Sequence, residues 1–112
     1  MGVTTDTLAI GSYAAAAQTN SYVARLSLDA RAYATVAITV VATVEAVKWT
    51  VFGATQSDYS DEVVVQVEAT VSAATVGSFV VGPAVFPYYR AKIKNSVADT
   101  VGTAALFGVM KP

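Results

Sequence analysis

Thr35-Val36-Ala37-Ile38-Thr39-Val40 and, a few residues on, Val47-Lys48-Trp49-Thr50-Val51-Phe52 decide the fold class. In the first run Val36, Ile38 and Val40 alternate with Thr35, Ala37 and Thr39; in the second Val47, Trp49 and Val51 alternate with Lys48, Thr50 and Phe52. A period of two assigns each set to one face of a pleated strand, and β-branched and aromatic side chains suit such a surface better than a helix. Working outward, Tyr22, Ala24, Leu26 and Leu28 oppose Val23, Arg25 and Ser27. Val65, Val67, Ala69 and Val71 oppose Gln66, Glu68 and Thr70, and Tyr89, Ala91 and Ile93 oppose Arg90, Lys92 and Lys94. A weaker strand is expected at 79–81 and a last one at 103–109. Turn chemistry falls between them at 28–31, 55–61, 81–83 and 95–102.

Seven or eight short strands with no helix-length periodic segment predict an all-β, two-layer antiparallel β-sandwich of jelly-roll-like type, with an immunoglobulin-like order as the rival. The first twenty residues read differently: Thr4 to Thr7 are polar and Ala14 to Ala17 have no period. Residues 1–20 are therefore expected to form an extended N-terminal arm that gains its order from a neighbouring subunit, with a short strand near residues 8–10, ahead of a sandwich domain at 21–112.

The 112 residues leave room for one core, so a cleft between domains is not expected. Charged residues make up 13% of the chain, about half the share of an ordinary soluble domain, while hydrophobic residues reach 54%. So small a body cannot hide them all, and contiguous exposed apolar area marks an interface. Val41, Phe52, Val64 and Val80 stand where solvent-facing residues belong, which makes them interface candidates. Arg90, Lys92 and Lys94, next to Tyr88, form a positive stripe on one side of a strand. A salt-bridged outer face or a protein contact is expected there, and the clustering of basic residues after position 89 suggests an electrostatically matched docking side. With a net charge of −1 the chain offers no field for nucleic acid.

With no histidine and no cysteine, there is no imidazole base, thiol nucleophile, disulfide or thiolate metal site. No nucleophile stands beside a base and no contrasting carboxylate pair emerges, so no enzymatic activity and no cofactor are expected. Asp58, Asp61 and Glu62 are the densest acidic group but lack the alternation and glycine of a calcium loop. Trp49 belongs to a core-facing set. Tyr59, and after it Tyr88, would be the exposed ring of a glycan platform, although core or interface packing is the favoured reading of the aromatic residues. The run 32–44 is too short and too rich in Thr for a membrane helix, and the amino terminus lacks the pattern of a secretion signal, so a cytosolic origin or a processed fragment is expected.

From Leu26 onward the chain resembles small β-sandwich virion proteins of tailed phages, above all head-decoration (cement) proteins. The residues that carry the resemblance are Leu26-Ser27-Leu28-Asp29-Ala30-Arg31-Ala32-Tyr33, leading into the Val-x-Ile-x-Val strand, then Val47-Lys48-Trp49-Thr50-Val51-Phe52-Gly53. Tyr89-Arg90-Ala91-Lys92-Ile93-Lys94-Asn95 and Gly102-Thr103-Ala104-Ala105-Leu106-Phe107-Gly108 complete it. It implies a homotrimer made in the host cytoplasm and placed on the outer capsid surface, bridging major capsid subunits without nucleic acid or membrane. It carries over no functional residue. Neck, tail or fibre components share the same features, and a carbohydrate- or receptor-binding module is the alternative from another class.

Overall fold

The computed structural model describes residues 8–17, 20–100 and 102–111. Eight strands form two four-stranded antiparallel sheets: β1 (Leu8–Ala17), β2 (Val23–Asp29), β3 (Thr35–Ala42), β4 (Val47–Ala54), β5 (Val63–Val71), β6 (Val76–Val81), β7 (Tyr88–Asn95) and β8 (Thr103–Lys111). One sheet has the order β1-β8-β3-β6 and the other β2-β7-β4-β5, called here the first and second sheets. Only β4 and β5 are neighbours both in sequence and in a sheet. The chain is wound as one long hairpin with its tip at the β4–β5 loop, pairing β1 with β8, β2 with β7 and β3 with β6, which is the jelly-roll arrangement. The immunoglobulin-like order is thereby excluded.

The alternating sets meet between the sheets. Val36, Ile38 and Val40 from β3 and Leu106 and Met110 from β8 face Leu26, Leu28, Val47, Trp49, Val51, Tyr89, Ala91 and Ile93 from the second sheet, all essentially buried. The turns close as their residue types dictate. Asp29 accepts from the Arg31 backbone N–H and its guanidinium at the exit of β2, while Asp61 accepts from the backbone N–H groups of Thr55 and Gln56 across the β4–β5 loop. Asn20 accepts from Asn95 Nδ2 (3.0 Å) and from the Asp99 N–H (2.8 Å), tying the entry to β2 against the β7–β8 loop.

Three details differ from the sequence expectation. β1 spans ten residues and is paired to β8 of its own chain, so the sheet begins before residue 21. Ladder hydrogen bonds come from the main chain, so Ala16 and Ala17 pair with Ala104 and Thr103 without any side-chain period. The rest of the expected arm, 1–7, lies outside the described residues. On β2, a register shift between Ala24 and Leu26 carries Tyr22 to the outer face of the second sheet, where it meets Glu68. On β5, register shifts opposite Trp49, Val51 and Phe52 put Gln66 level with the inward-facing Val51 and leave Val67 76% exposed, while Val65, Ala69 and Val71 meet the core as the alternation requires. An extra residue in one strand of a pair re-aims every side chain beyond it.

Gly53 of β4 is required by close packing: a Cβ there would lie 2.7 Å from Cγ of Phe86, whose ring stands edge-on to the buried Tyr89. Gly53→Ala is expected to cost about 1–3 kcal/mol through overpacking. Urea unfolding of the variant would then give a lower midpoint at unchanged slope.

Candidate functional site

The two outer faces of the sandwich differ in chemistry. In the strands of the first sheet the sole charged residue is Lys111, at the very end of β8. Its outer face is built in registered rows of Val80, Ala37 and Val109, then Ser78, Thr39 and Phe107, then Val76, Val41 and Ala105. Val76, Val80 and Phe107 are 63%, 66% and 42% exposed. Six residues at 3.3 Å rise across three strands at 4.8 Å spacing give an uncharged patch of about 300 Å², the size at which an exposed apolar patch becomes functionally suspect.

The outer face of the second sheet carries the charge. Glu62 takes Arg90 Nε at 2.8 Å and Lys92 Nζ at 2.7 Å, with all three side chains about four-fifths buried. Glu68 sits between Lys94 (3.3 Å) and Lys48 (3.8 Å) and accepts from the Tyr22 hydroxyl. Aromatic rings line the cations: Arg90 lies 4.3 Å from the Tyr59 ring centre, Lys92 4.5 Å from Phe52 and Lys94 4.6 Å from Tyr22. Partial burial disfavours the Glu62 charge, but hydrogen bonds from Arg90 and Lys92 outweigh it and hold the carboxyl below its ordinary value. Tyr22 is pushed up to about 12, first by burial and then by its hydrogen bond to Glu68.

The interface candidates separate accordingly. Val41 and Val80 lie on the uncharged face, Val80 at its β6 edge. Val64 is 52% exposed on the edge strand β5, opposite Phe52, which is covered by Lys92. Arg90, Lys92 and Lys94 are brought together and paired with Glu62 and Glu68 of their own chain, which makes this a salt-bridged outer face. Tyr88 is half-buried, with Arg31 5.5 Å from its ring centre. Tyr59 is no exposed platform: its hydroxyl donates to the Tyr89 carbonyl at 2.8 Å and its ring meets Tyr88 edge-on. Asp58 and Asp61 spend their oxygens on N–H groups of their own loop.

Sequence reasoning missed Gln66. Turned inward by the bulges, it lines an open cleft of about 220 Å³ at the β5–β6 side of the sandwich, and its Nε2 is the one buried side-chain N or O atom without a hydrogen-bond partner among the described residues. Leaving such a group unpaired costs about 1–3 kcal/mol. Only a shift of register could reveal it, and register is not written in an alternation.

No protein-family model matches the chain, and no curated protein matches it. Among solved structures it is similar to a protein of Bacillus endospore appendages, described as forming a novel family of disulfide-linked pili. The identity is 10%, with 95% of this chain and 83% of that chain covered at a TM-score of 0.57. The likeness is one of fold. The present chain has no cysteine.

The pH dependence of the charged face follows from the lowered Glu62 value. A carboxyl depressed in the folded state contributes stability that is present above its unfolded value, near 4.3, and lost as pH falls through the folded one. Glu62→Gln is expected to cost about 1–3 kcal/mol at pH 7. Its stability should decline less than that of the wild type between pH 5 and pH 3 in urea titrations.

Proposed function

We propose that this chain is a non-enzymatic structural subunit that works inside an assembly, with the uncharged outer face of its first sheet covered by other subunits. The observation that carries the reading is the separation of charge: β1, β3 and β6 hold no charged residue and β8 one, whereas the second sheet bears an ion-paired outer face suited to water. The apolar part of such a face, from Val41, Val76, Val80, Val109 and Phe107, stabilises contact with another apolar surface at about 25 cal/mol per Å². The absence of histidine and cysteine and the tied-down carboxylates of the 55–62 loop are in keeping with a role without catalysis.

The particular assembly we favour is a tailed-phage head, with this protein as a decoration subunit bridging capsid proteins as a homotrimer. Its support is the resemblance in the strand and turn segments, together with a jelly roll, an architecture common in capsid domains. A filament subunit is the second reading, favoured by the fold likeness to the endospore appendage pilus protein. Closed rings or trimers arise from contacts whose rotation closes, filaments from those whose rotation does not.

Sedimentation and negative-stain imaging of the purified chain distinguish them. Discrete trimers that bind capsids lacking the protein support the decoration role, and open filaments support the second reading. A monomer at every concentration up to the millimolar range would overturn both. Phe107→Lys, in the middle row of the uncharged face, should raise the concentration needed for association at least tenfold, about 1.4 kcal/mol.

A further inference from the structure

A patch of about 300 Å² is less than half of the ~800 Å² per partner that a stable interface takes, so the contact has to extend beyond the face of the first sheet. The face continues over β6, and β6 is an unguarded edge. It pairs with β3 without a register shift, carries no charge, and Val76 and Val80 stand exposed along it. Edge strands that avoid further pairing usually carry a lysine, a proline or a bulge, and Val76–Val81 has none of these. The edge of the second sheet, β5, is by contrast bulged.

Between these two edges opens the cleft that Gln66 lines. Its rim is hydroxylic, from Thr70, Ser72, Thr75 and Ser78, and no ionised side chain lines it. Gly77 keeps its β6 wall thin, since a Cβ there would sit 2.7 Å from Val71 and 3.3 Å from Trp49 Nε1. At about 220 Å³ the cleft is smaller than the ~300 Å³ lower limit of small-molecule sites, and Trp49, 2% exposed, offers no ring face for a sugar.

We propose that the cleft is a socket for an extended, uncharged segment of a second copy, which adds to the β6 edge and presents a side-chain carbonyl or hydroxyl oxygen to Gln66 Nε2. A strand joined to β6 lies in the plane of the first sheet, so alternate side chains of the incoming segment point inward, into the gap between the sheets. Neutral occupancy matches the lining: a carboxylate there would be buried without a cation. The second copy is the occupant because the edge is continuous with the face assigned above to subunit contact, on which this inference rests, and because a chain with 13% charged residues is rich in neutral segments.

The test is Gln66→Leu, with Gln66→Met as a second variant of nearly unchanged length should leucine disturb the packing. Dilute monomer should melt at a higher temperature than wild type, because the unpaired amide is gone, while the concentration for half-association measured by sedimentation rises at least tenfold. A wild type that assembles and a Gln66→Leu or Gln66→Met variant that assembles at the same concentration would overturn the socket and leave the face reading intact, provided Phe107→Lys still weakens association. A wild type that never assembles overturns both. A shift of the Gln66 side-chain amide signal of dilute monomer on adding N-acetylglucosamine would also overturn the socket, in favour of a saccharide site.

Discussion

The organisation of this molecule rests on where fifteen charged residues, seven basic and eight acidic, are placed. Within the strands they are gathered almost wholly on the second sheet, where Glu62 and Glu68 are each shared between two cations. Sharing matters, since isolated surface pairs contribute little while a half-buried carboxylate with two charge-assisted hydrogen bonds contributes more. The rings of Phe52, Tyr22 and Tyr59 beside the cations add apolar contact and help to cover Arg90, Lys92 and Lys94, whose side chains keep only 20–27% of their surface exposed. The first sheet receives no comparable network, and the outward positions of β3, β6 and β8 are filled by Ala, Val, Thr, Ser and Phe107, with Lys111 at the end of β8. A sandwich so divided has one side made for solvent and one made for contact.

The fold was largely legible because alternation and turn chemistry agree. Val36, Ile38 and Val40, then Val47, Trp49 and Val51, are buried as their period demands, and the turns at 28–31, 55–61 and 95–102 fall between strands. What the alternation could not convey was register. One extra residue on β2 exchanges its faces, so Tyr22 becomes the partner of Glu68 rather than a core residue, and two register shifts on β5 make Gln66 change places with Val67. Likewise β1 was obscure, as its pairing depends on β8, some ninety residues away, and not on any pattern within 14–17. The salt-bridged stripe of Arg90, Lys92 and Lys94 was visible in the sequence, but the identity of its partners was set by the β4–β5 hairpin that returns Glu62 and Glu68 across the sheet.

The bulges on β5 connect stability with assembly. They turn Gln66 inward to a place without a protein partner, while Glu68 keeps the outward side that the alternation assigns it and meets its lysines. Among the described residues nothing accepts a hydrogen bond from the Gln66 amide, at the side where the sheets stand open, next to the uncharged edge of β6. Completion of that bond by another chain would relieve the subunit of a cost it bears alone, which is how a building block is biased toward its assembled state.

The central claim is that the outer face of the first sheet is covered when the protein works. The chain has no cysteine, so single thiols report on each face without interference. Thr39→Cys at the centre of the uncharged face and Ser27→Cys on the opposite sheet would be reacted with a maleimide over a range of protein concentration. The account predicts that the thiol at position 39 becomes at least tenfold less reactive as concentration rises, while that at 27 stays equally accessible. Equal reactivity of both at every concentration would contradict it.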